Sequence, residues 1–155
     1  MVKIRPGGSE DLPAIHAALF LAANWDPARE PRLLEDPTLA PYREGWGQDG
    51  DLVVIAEDDG QAIGAAYCRL TNGYGHIDDE TPEITVGVES SYRGRGIGRQ
   101  LMSALAELAL QNGFTRLSLS VDAANPARRL YERAGYRQVG VDESGGIVML
   151  LDLTR

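Results

Sequence analysis

Seven short stretches of the chain are rich in apolar residues and bounded by turn residues, which predicts β-strands, and in two of them, over 62–69 and 117–121, residue types alternate with a period of two. The clearest case is a hairpin, in which strands over residues 51–57 and 62–69 flank the turn sequence Asp58-Asp59-Gly60. The remaining strands are predicted over residues 2–5, 84–88, 117–121, 136–141 and 147–153. The last two of these form a second hairpin around Glu143-Ser144-Gly145-Gly146.

Three other segments place apolar residues three or four positions apart, which predicts amphipathic helices. Ser9 is placed to cap the first helix, and the longest helix is predicted over residues 94–112. The third begins at Asn125, with Pro126 in its first helical position, and closes at Gly135. The apolar faces of the first two helices consist of Leu12, Ile15, Leu19 and Ala22, and of Ile97, Leu101, Leu105 and Leu108.

Composition is typical of a globular protein. The chain has 155 residues, of which 43% are hydrophobic and 25% charged, so residues 1–155 are predicted to form a single domain with one sizeable core. No apolar run approaches the roughly 20 residues that span a bilayer, and the first residues lack the apolar region of a signal peptide. The lone cysteine, Cys68, excludes an internal disulfide and suits a reducing compartment. We therefore expect a cytoplasmic protein.

The net charge of −8 argues against nucleic acid or an anionic membrane as a partner and suits a cationic substrate such as an amine. The charge is unevenly distributed, because residues 93–137 contain eight arginines and only three acidic residues. We therefore expect a basic patch, suited to phosphates, on an otherwise acidic protein.

That basic segment begins with a glycine- and arginine-rich turn between the strand at 84–88 and the longest helix. The turn consists of Arg93, Gly94, Arg95, Gly96, Ile97, Gly98 and Arg99. Its glycines lack the Cβ atoms that would keep a bulky anion from the backbone, and the helix that follows points free N–H groups at the same place. Its arginines add guanidinium groups suited to phosphate. The turn is therefore predicted to bind a diphosphate.

Two familiar nucleotide motifs do not fit this turn. A P-loop requires Lys followed by Ser or Thr after its second glycine, whereas Gly98 is followed by Arg99 and Gln100. A dinucleotide-binding turn requires the spacing G-x-G-x-x-G, whereas the spacing here is G-x-G-x-G. Taken alone, the turn could also be an ordinary glycine-rich connection to a helix.

The turn resembles the pyrophosphate-binding motif R/Q-x-x-G-x-G/A of the GNAT superfamily of N-acetyltransferases, through Arg93, Gly96 and Gly98. A second segment resembles the family's pattern N-x-x-A-x-x-L-Y-E-x-x-G-F/Y, although Arg128 stands where alanine is more common. Its matching residues are Asn125, Leu130, Tyr131, Glu132, Gly135 and Tyr136. Two motifs in this order are more specific than either alone, and the resemblance covers roughly residues 51–153.

The resemblance implies an α/β (α+β) GNAT fold, with a mixed, mostly antiparallel sheet whose parallel fourth and fifth strands splay apart, flanked by about four helices. It also implies acetyl-CoA as the acetyl-donor cosubstrate, bound between those strands without a metal. The fourth strand is expected to pair with the pantetheine arm, with Gly87 allowing close approach and the Val88 N–H facing the thioester oxygen. Asn125 is expected to bond the same arm, although a capping role would also explain it. The residues implied to bind acetyl-CoA are Val86, Gly87, Val88, Arg93, Gly94, Arg95, Gly96, Ile97, Gly98, Arg99, Asn125 and Tyr131.

The same resemblance suggests catalytic roles for two residues. Tyr131 stands at the position of the family's general acid, and the alternative for it is a buried packing tyrosine. One family position for a general base holds Ser120, which cannot serve, while another, at the start of the fourth strand, holds Glu83. Glu83 is therefore the implied base, with Asp79 or Glu80 as substitutes, and some members of the family have no dedicated base.

These features predict an N-acetyltransferase that moves an acetyl group to a primary amine of a small cationic acceptor by direct transfer in a ternary complex. The acceptor pocket is expected to come from residues 25–46 and 73–83, with Trp25, Tyr42 and Trp46 as candidate walls or as packing residues. One alternative is a non-catalytic acyl-CoA-binding regulatory module, and another is acetylation of protein N-termini or lysines. Because many members of the family are dimers, a homodimer is kept as an alternative to a monomer.

Overall fold

The computed structural model describes residues 1–154, and these form a seven-stranded sheet in the order β1-β2-β3-β4-β5-β7-β6. The strands are β1 (Val2–Pro6), β2 (Leu52–Asp58), β3 (Gln61–Arg69), β4 (Glu83–Val88), β5 (Arg116–Val121), β6 (Arg137–Val141) and β7 (Ile147–Asp152). Neighbouring strands are antiparallel except for β4 and β5, which are parallel. The predicted fold class is confirmed, and each predicted strand agrees with the observed one to within one residue at either end.

Helices cover both faces of this sheet. They are α1 (Leu12–Ala23), α2 (Ala40–Arg43), α3 (Ile97–Gln111) and α4 (Ala127–Arg133). The α3 residues Ile97, Leu101 and Leu105 are buried in one core cluster, and the α1 residues Ile15 and Leu19 are buried in another. In β5 the apolar residues belong to the cluster under α3, so the alternating serines face the α1 side of the sheet.

The longest helix begins three residues later than predicted, at Ile97 instead of residue 94. Gly94 and Gly96 adopt φ angles of 77° and 78°, in the left-handed region, and such residues cannot belong to a right-handed helix. Residues 93–96 of the glycine-rich turn therefore precede the helix, whereas Ile97, Gly98 and Arg99 form the start of α3.

The predicted capping role of Ser9 is also wrong. Residues Ser9–Asp11 form a 3-10 turn, and α1 begins only after it. Asp11 stabilises this turn, because its Oδ2 accepts a hydrogen bond from the Gly8 N–H at 3.0 Å while its carboxylate binds Arg5. Asp11 therefore closes the 3-10 turn, but its side chain makes no capping hydrogen bond to α1.

The parallel strands β4 and β5 are joined only where they begin. Within residues 1–154, Glu83 and Ser118 are their only register partners, and the Ser118 N–H donates to the Pro82 carbonyl at 3.0 Å. The strands then diverge, which confirms the predicted splay. The gap between them opens a cleft in the sheet.

A buried ion pair fixes the irregular segment that precedes β2. Arg69 of β3 is 4% exposed, and its Nε lies 2.8 Å from Asp51 Oδ1. The same guanidinium donates to the Glu44 carbonyl at 2.7 Å. Since α2 belongs to this segment, the ion pair holds α2 against the sheet and helps to place Tyr42 beside the first residue of β4.

Candidate active site

The cleft between β4 and β5 has a volume of about 1170 Å³. Towards the carboxyl end of β4 it is bordered by the glycine-rich turn and α4, and towards Glu83 by Tyr42, the segment after α1 and the turn between β6 and β7. All residues predicted to bind acetyl-CoA line this cleft except Arg95, and so do both predicted catalytic residues, Glu83 and Tyr131. The structure therefore brings the two motifs and the candidate base to one cavity.

The glycine-rich turn presents an open, positively charged surface to the cleft. A Cβ atom on Gly94 or Gly96 would meet no other residue within 4 Å, so the space in front of these glycines is free. Arg93 and Arg99 are exposed and line the same end of the cavity. Together with the free N–H groups at the start of α3, these guanidinium groups fit a diphosphate.

Arg95 lies outside the lining of the cleft. Its guanidinium carbon is 4.9 Å from the centroid of the Tyr92 ring, and its Nη2 donates to the Ser91 carbonyl at 3.4 Å. The Tyr92 hydroxyl in turn donates to Asp58 Oδ2 at 2.6 Å. Arg95 thus supports the turn from outside, and its contact with acetyl-CoA stays a prediction.

The backbone of β4 offers unpaired groups to the cleft at alternate residues. The Glu89 N–H donates to the Ile63 carbonyl of the neighbouring strand at 2.9 Å, so the adjacent Val88 N–H points the other way, into the cleft. The same alternation directs the backbone groups of Val86 to the cleft and those of Gly87 to β3. An extended ligand with amide groups could therefore pair with Val86 and Val88.

The structure gives Gly87 a reason for being glycine in addition to the expected close approach of the pantetheine arm, which stays a prediction. A Cβ atom at this position would lie 2.7 Å from the Ala18 Cα and would overlap the backbone of α1. Gly87 therefore allows α1 to pack directly on β4. The close approach seen in the structure is that of a helix, on the face of the sheet opposite α3.

Helix α4 places Asn125 and Tyr131 along the cleft. The Asn125 Oδ1 accepts a hydrogen bond from the Ala127 N–H at 2.9 Å, so this side chain does cap the start of α4. The Tyr131 ring packs edge-on against Tyr136, with 6.3 Å between centroids. Burial raises the pKa of Tyr131 to about 12, and its hydroxyl makes no hydrogen bond to residues 1–154. At neutral pH it is a protonated donor without a protein acceptor in that range.

Glu83 is a buried carboxyl group with one satisfied oxygen and one unsatisfied oxygen. The residue is only 3% exposed. Its Oε2 accepts a hydrogen bond from the Tyr42 hydroxyl at 2.6 Å, and the Tyr42 hydroxyl accepts one from the Tyr74 N–H at 2.7 Å. Its Oε1 is buried without any hydrogen-bond partner in the described part of the chain. A buried polar atom of this kind needs a partner, and the adjoining cleft can supply one.

Burial is the main reason why the pKa of Glu83 is raised to about 7. The Tyr42 hydroxyl and the nearby Gly75 N–H act in the opposite direction, and the charge of Asp142 raises the pKa further. A pKa close to neutrality suits a group that must accept a proton and later release it.

Polar side chains from β5 and from the β6–β7 turn complete the floor of the cleft near Glu83. Ser118, its register partner, and Ser120 project from the same face of the sheet as Glu83. Ser120 Oγ donates to Asp142 Oδ2 at 2.6 Å, and Asp142 lines the cleft. Burial alone would raise the pKa of Asp142, but the hydrogen bonds that it accepts hold its pKa below the ordinary value. Asp142 was not predicted from the sequence, although the Leu-Ser-Leu-Ser alternation of β5 indicates a polar face.

The acidic residues that precede β4 do not gather around the cleft. Asp78 pairs with Arg116, while Asp79 and Glu80 are exposed to solvent. Of this acidic group, Glu83 is the member that lines the cavity in residues 1–154. Asp79 and Glu80 are therefore poorly placed to substitute for it.

Two of the three aromatic candidates for the acceptor wall lie in the cleft. Trp25 and Tyr42 line it, whereas Trp46 packs edge-on against Tyr67 with 5.7 Å between centroids. Beside Trp25, Arg29 Nη2 lies 3.1 Å from Asp122 Oδ2 and so links the segment after α1 to the end of β5. This ion pair connects the two sides of the cavity.

The profile of the acetyltransferase (GNAT) family matches residues 18–136, which include both motifs, Glu83 and Tyr131. The chain belongs to the GNAT family of acetyltransferases. An N-acetyltransferase from Thermoplasma acidophilum, solved in complex with coenzyme A, has the same fold, with a TM-score of 0.70 and 16% sequence identity. That match covers 98% of this chain and 99% of the other. The resemblance predicted from the two motifs is thus confirmed.

Curated relatives within the family differ in the acceptors for which they are named. A mycothiol acetyltransferase from Clavibacter sepedonicus is 28% identical over 135 residues, which are 86% of this chain and 41% of the relative. An N-acetylaspartate synthetase from Xenopus tropicalis is 32% identical over 98 residues, which are 62% of this chain and 34% of the relative. The chain therefore spans less than half the length of these curated relatives.

Two further properties concern the described residues as a whole. No helix in residues 1–154 is long and apolar enough to cross a membrane. In the same range, no group of three or more His, Cys, Asp or Glu side chains is arranged to hold a metal ion. The expectations about location, metal dependence and oligomeric state stay predictions.

Proposed function

We propose that this protein is an acetyl-CoA-dependent N-acetyltransferase that acetylates a primary amine of a small cationic acceptor by direct transfer in a ternary complex. The observation that carries the proposal is that one cleft joins the glycine- and arginine-rich turn to the buried Glu83 carboxyl group, whose Oε1 has no partner within residues 1–154. A site for a diphosphate and a base for an amine are what this reaction requires. Membership of the GNAT family supports the same activity.

Donor binding belongs to the carboxyl end of β4. Arg93, Arg99 and the amides of the turn would hold the diphosphate, and the free backbone groups of Val86 and Val88 would pair with the amides of the pantetheine arm. When bound, acetyl-CoA supplies an activated acetyl thioester. The Val88 N–H would then donate to the thioester oxygen and stabilise the negative charge that develops there.

Glu83 would act as the general base. Alkyl amines have pKa values near 10 and are mostly protonated at neutral pH, so the acceptor nitrogen must lose a proton before it can attack. Glu83 Oε1 would accept that proton, directly or through a water molecule, while the nitrogen keeps its electron pair. A carboxyl group with a pKa of about 7 is largely ionised just above neutrality and can do this.

Tyr131 would act as the general acid at the other end of the reaction. Transfer replaces a carbon–sulfur bond by a carbon–nitrogen bond, and the electron pair of the broken bond stays on the sulfur. Tyr131 Oη would donate its proton to that sulfur. Its pKa of about 12 keeps the hydroxyl protonated over the range in which Glu83 is ionised.

The charges around Glu83 favour a cationic acceptor. Asp142 lines the same part of the cleft, and its charge reaches Glu83. The arginines of the segment after α1 are engaged by acidic partners, Arg29 by Asp122 and Arg32 by Asp36. An anionic acceptor such as aspartate would therefore meet mainly carboxylates beside the base, whereas a polyamine or amino sugar would be attracted there.

Coenzyme A release from acetyl-CoA tests the proposal with an amine panel of putrescine, spermidine, glucosamine, L-aspartate and an alanine-terminated peptide. We expect turnover with a cationic amine at a kcat/KM at least about tenfold above that with aspartate or the peptide, a difference of about 1.4 kcal/mol. The Glu83→Gln variant is the control and should lose turnover but keep its affinity for acetyl-CoA. Preference for aspartate or the peptide would contradict the acceptor class. Binding of acetyl-CoA without turnover of any amine would contradict catalysis and favour a binding module.

A further inference from the structure

We propose that Tyr42 is the positioning residue for the Glu83 carboxyl group, holding Oε2 so that Oε1 alone exchanges protons with the acceptor amine. This inference rests on the proposed role of Glu83 as the base. It gives a function to a residue that lies outside both family motifs.

The hydrogen bonds around Tyr42 have a fixed direction. The Tyr74 N–H can only donate, so the Tyr42 oxygen must accept at 2.7 Å. The single hydroxyl proton of Tyr42 is then left for Glu83 Oε2, 2.6 Å away. This series of hydrogen bonds, from Tyr74 through Tyr42 to Glu83, therefore ends on Oε2 and leaves Oε1 without a partner in the described part of the chain.

The loop that lies over this pair leaves no room for a side chain at Gly73 or Gly75. A Cβ atom on Gly73 would overlap the Tyr42 hydroxyl and lie 2.8 Å from Glu83 Oε1. A Cβ atom on Gly75 would lie 2.8 Å from Glu83 Cδ. The loop thus packs against both the tyrosine and the carboxyl group and restrains them in one arrangement.

The backbone that carries Tyr42 is held from β3. The Tyr67 hydroxyl donates to the Tyr42 carbonyl at 3.0 Å. Arg69 donates to the carbonyls of Pro41 and Glu44, at 3.3 and 2.7 Å. These hydrogen bonds to residues of β3 fix the position and orientation of Tyr42 relative to the sheet, as a positioning role requires.

The bond from Tyr42 also influences when Glu83 is ionised. The titratable or charged groups packed around Glu83 are Tyr42 from α2, Tyr67 and Arg69 from β3, and Asp142 from the β6–β7 turn. Arg69 is paired with Asp51, and the nearby residues of β5 are serines. Because burial raises the pKa of Tyr42 itself, this hydroxyl remains a donor throughout the working range. Its donation favours the ionised carboxylate, so its loss should keep Glu83 protonated to higher pH.

A carboxyl-carbon NMR titration tests this directly in protein labelled with [5-¹³C]glutamate, with the Glu83 signal assigned by its loss in Glu83→Gln. The midpoint is expected at about 7 in the unmodified protein and about one pH unit higher in Tyr42→Phe. Tyr92→Phe is the matched control, because Tyr92 donates an equally short bond to a different carboxylate, Asp58. It should leave the Glu83 midpoint unchanged.

A kinetic measurement supplies the second readout, with acetyl-CoA and the panel amine that is turned over fastest. The acidic limb of the kcat–pH profile of Tyr42→Phe should move to higher pH by the same amount, with turnover recovering towards that of the unmodified protein in alkaline solution. A purely structural defect would lower kcat at every pH instead.

An unchanged Glu83 midpoint in folded Tyr42→Phe would overturn the inference. If Tyr42→Phe does not fold, Gly73→Ala takes its place, since the added methyl group must displace the Tyr42 hydroxyl and should raise the midpoint in the same direction. Failure of the proposed function looks different, because no panel amine would then be turned over, whereas the carboxyl titration of Tyr42→Phe could still be measured. If Glu83→Gln kept its turnover, Glu83 would not be the base and this inference would fall, while the acetyltransferase activity would stand.

Discussion

Burial raises the proton affinities of both Glu83 and Tyr131, yet the two groups still differ in charge just above neutral pH. Burial raises both pKa values, that of Glu83 to about 7 and that of Tyr131 to about 12. Just above pH 7 the carboxyl group is therefore largely ionised while the phenol is fully protonated. An ionised base and a protonated acid can therefore coexist in one cleft over this range.

Tyr131→Phe is expected to lower kcat by about 100-fold, because it removes the proton donor for the sulfur while keeping the ring. Affinity for acetyl-CoA, measured by titration calorimetry, should change little. Tyr136→Phe is the matched control, since it removes a hydroxyl from the neighbouring buried tyrosine at a position where the family pattern accepts phenylalanine. Equal kcat values for the two variants would exclude Tyr131 as the acid.

At the scale of elements, the site depends on how closely helices approach the splayed strands. Gly87 lets α1 lie directly on β4, and Gly98 of α3 faces Leu130 of α4, where a Cβ atom would be 3.2 Å from Leu130 Cδ2. Both contacts bring cleft-lining segments together. The glycines of β4 and α3 thus contribute to the shape of the cavity through packing, while those of the turn contribute through the open space that they face.

Gly87→Ala should therefore destabilise the fold by about 1–3 kcal/mol, the usual cost of overpacking a close contact. Its methyl group would overlap the Ala18 backbone and push α1 away from β4. Urea unfolding measures the effect, with Gly140→Ala in β6 as the control, because a Cβ atom there meets nothing within 4 Å. Equal unfolding free energies for the two variants would contradict the packing role of Gly87.

The strands could be predicted from the sequence because apolar β-type runs and the turns between them are local features, and the donor side could be predicted because the turn and the α4 motif are contiguous segments. The predicted start of α3 was wrong, because the glycine-rich sequence does not indicate which glycines adopt left-handed φ angles. Most of the residues on the acceptor side of the cleft could not be predicted from the sequence, because they come from distant parts of the chain. Tyr42 lies 41 positions from Glu83, and Asp142 meets Ser120 only because the β6–β7 turn folds back beside β5.

At the scale of the whole molecule, stability and activity make opposite demands on the ionisation of Glu83. The folded-state pKa of Glu83 is raised, so the protonated form favours folding below pH 4.5 and that contribution is lost as the pH rises through about 7. Asp11 and Asp142 have lowered pKa values, so they stabilise the fold above their ordinary pKa and cease to do so in acid. The unfolding free energy should therefore be greatest in weakly acidic solution, below the pH at which the base is ionised.

Glu83→Gln should consequently gain stability relative to the unmodified protein as the pH rises from 5 to 8.5, by about 3 kcal/mol, because glutamine carries no charge to be buried. Urea unfolding of both proteins at the two pH values gives the difference. Glu10→Gln, at an exposed position, is the control and should show little pH-dependent change. A constant difference between Glu83→Gln and the unmodified protein would mean that Glu83 does not titrate in this interval.

Backbone pairing joins β4 to β5, and with them the two halves of the sheet, at one place near Pro82. The width of the cleft between the two strands is set by α3, which packs against both of them. Leu105 of α3 shares a core cluster with Ile84 of β4 and Leu117 of β5. The width available to a ligand therefore depends partly on core residues such as Leu105 and Leu117, which are not part of the cleft lining. Substitutions in this core layer can therefore widen or narrow the cleft while the residues that contact a ligand stay the same.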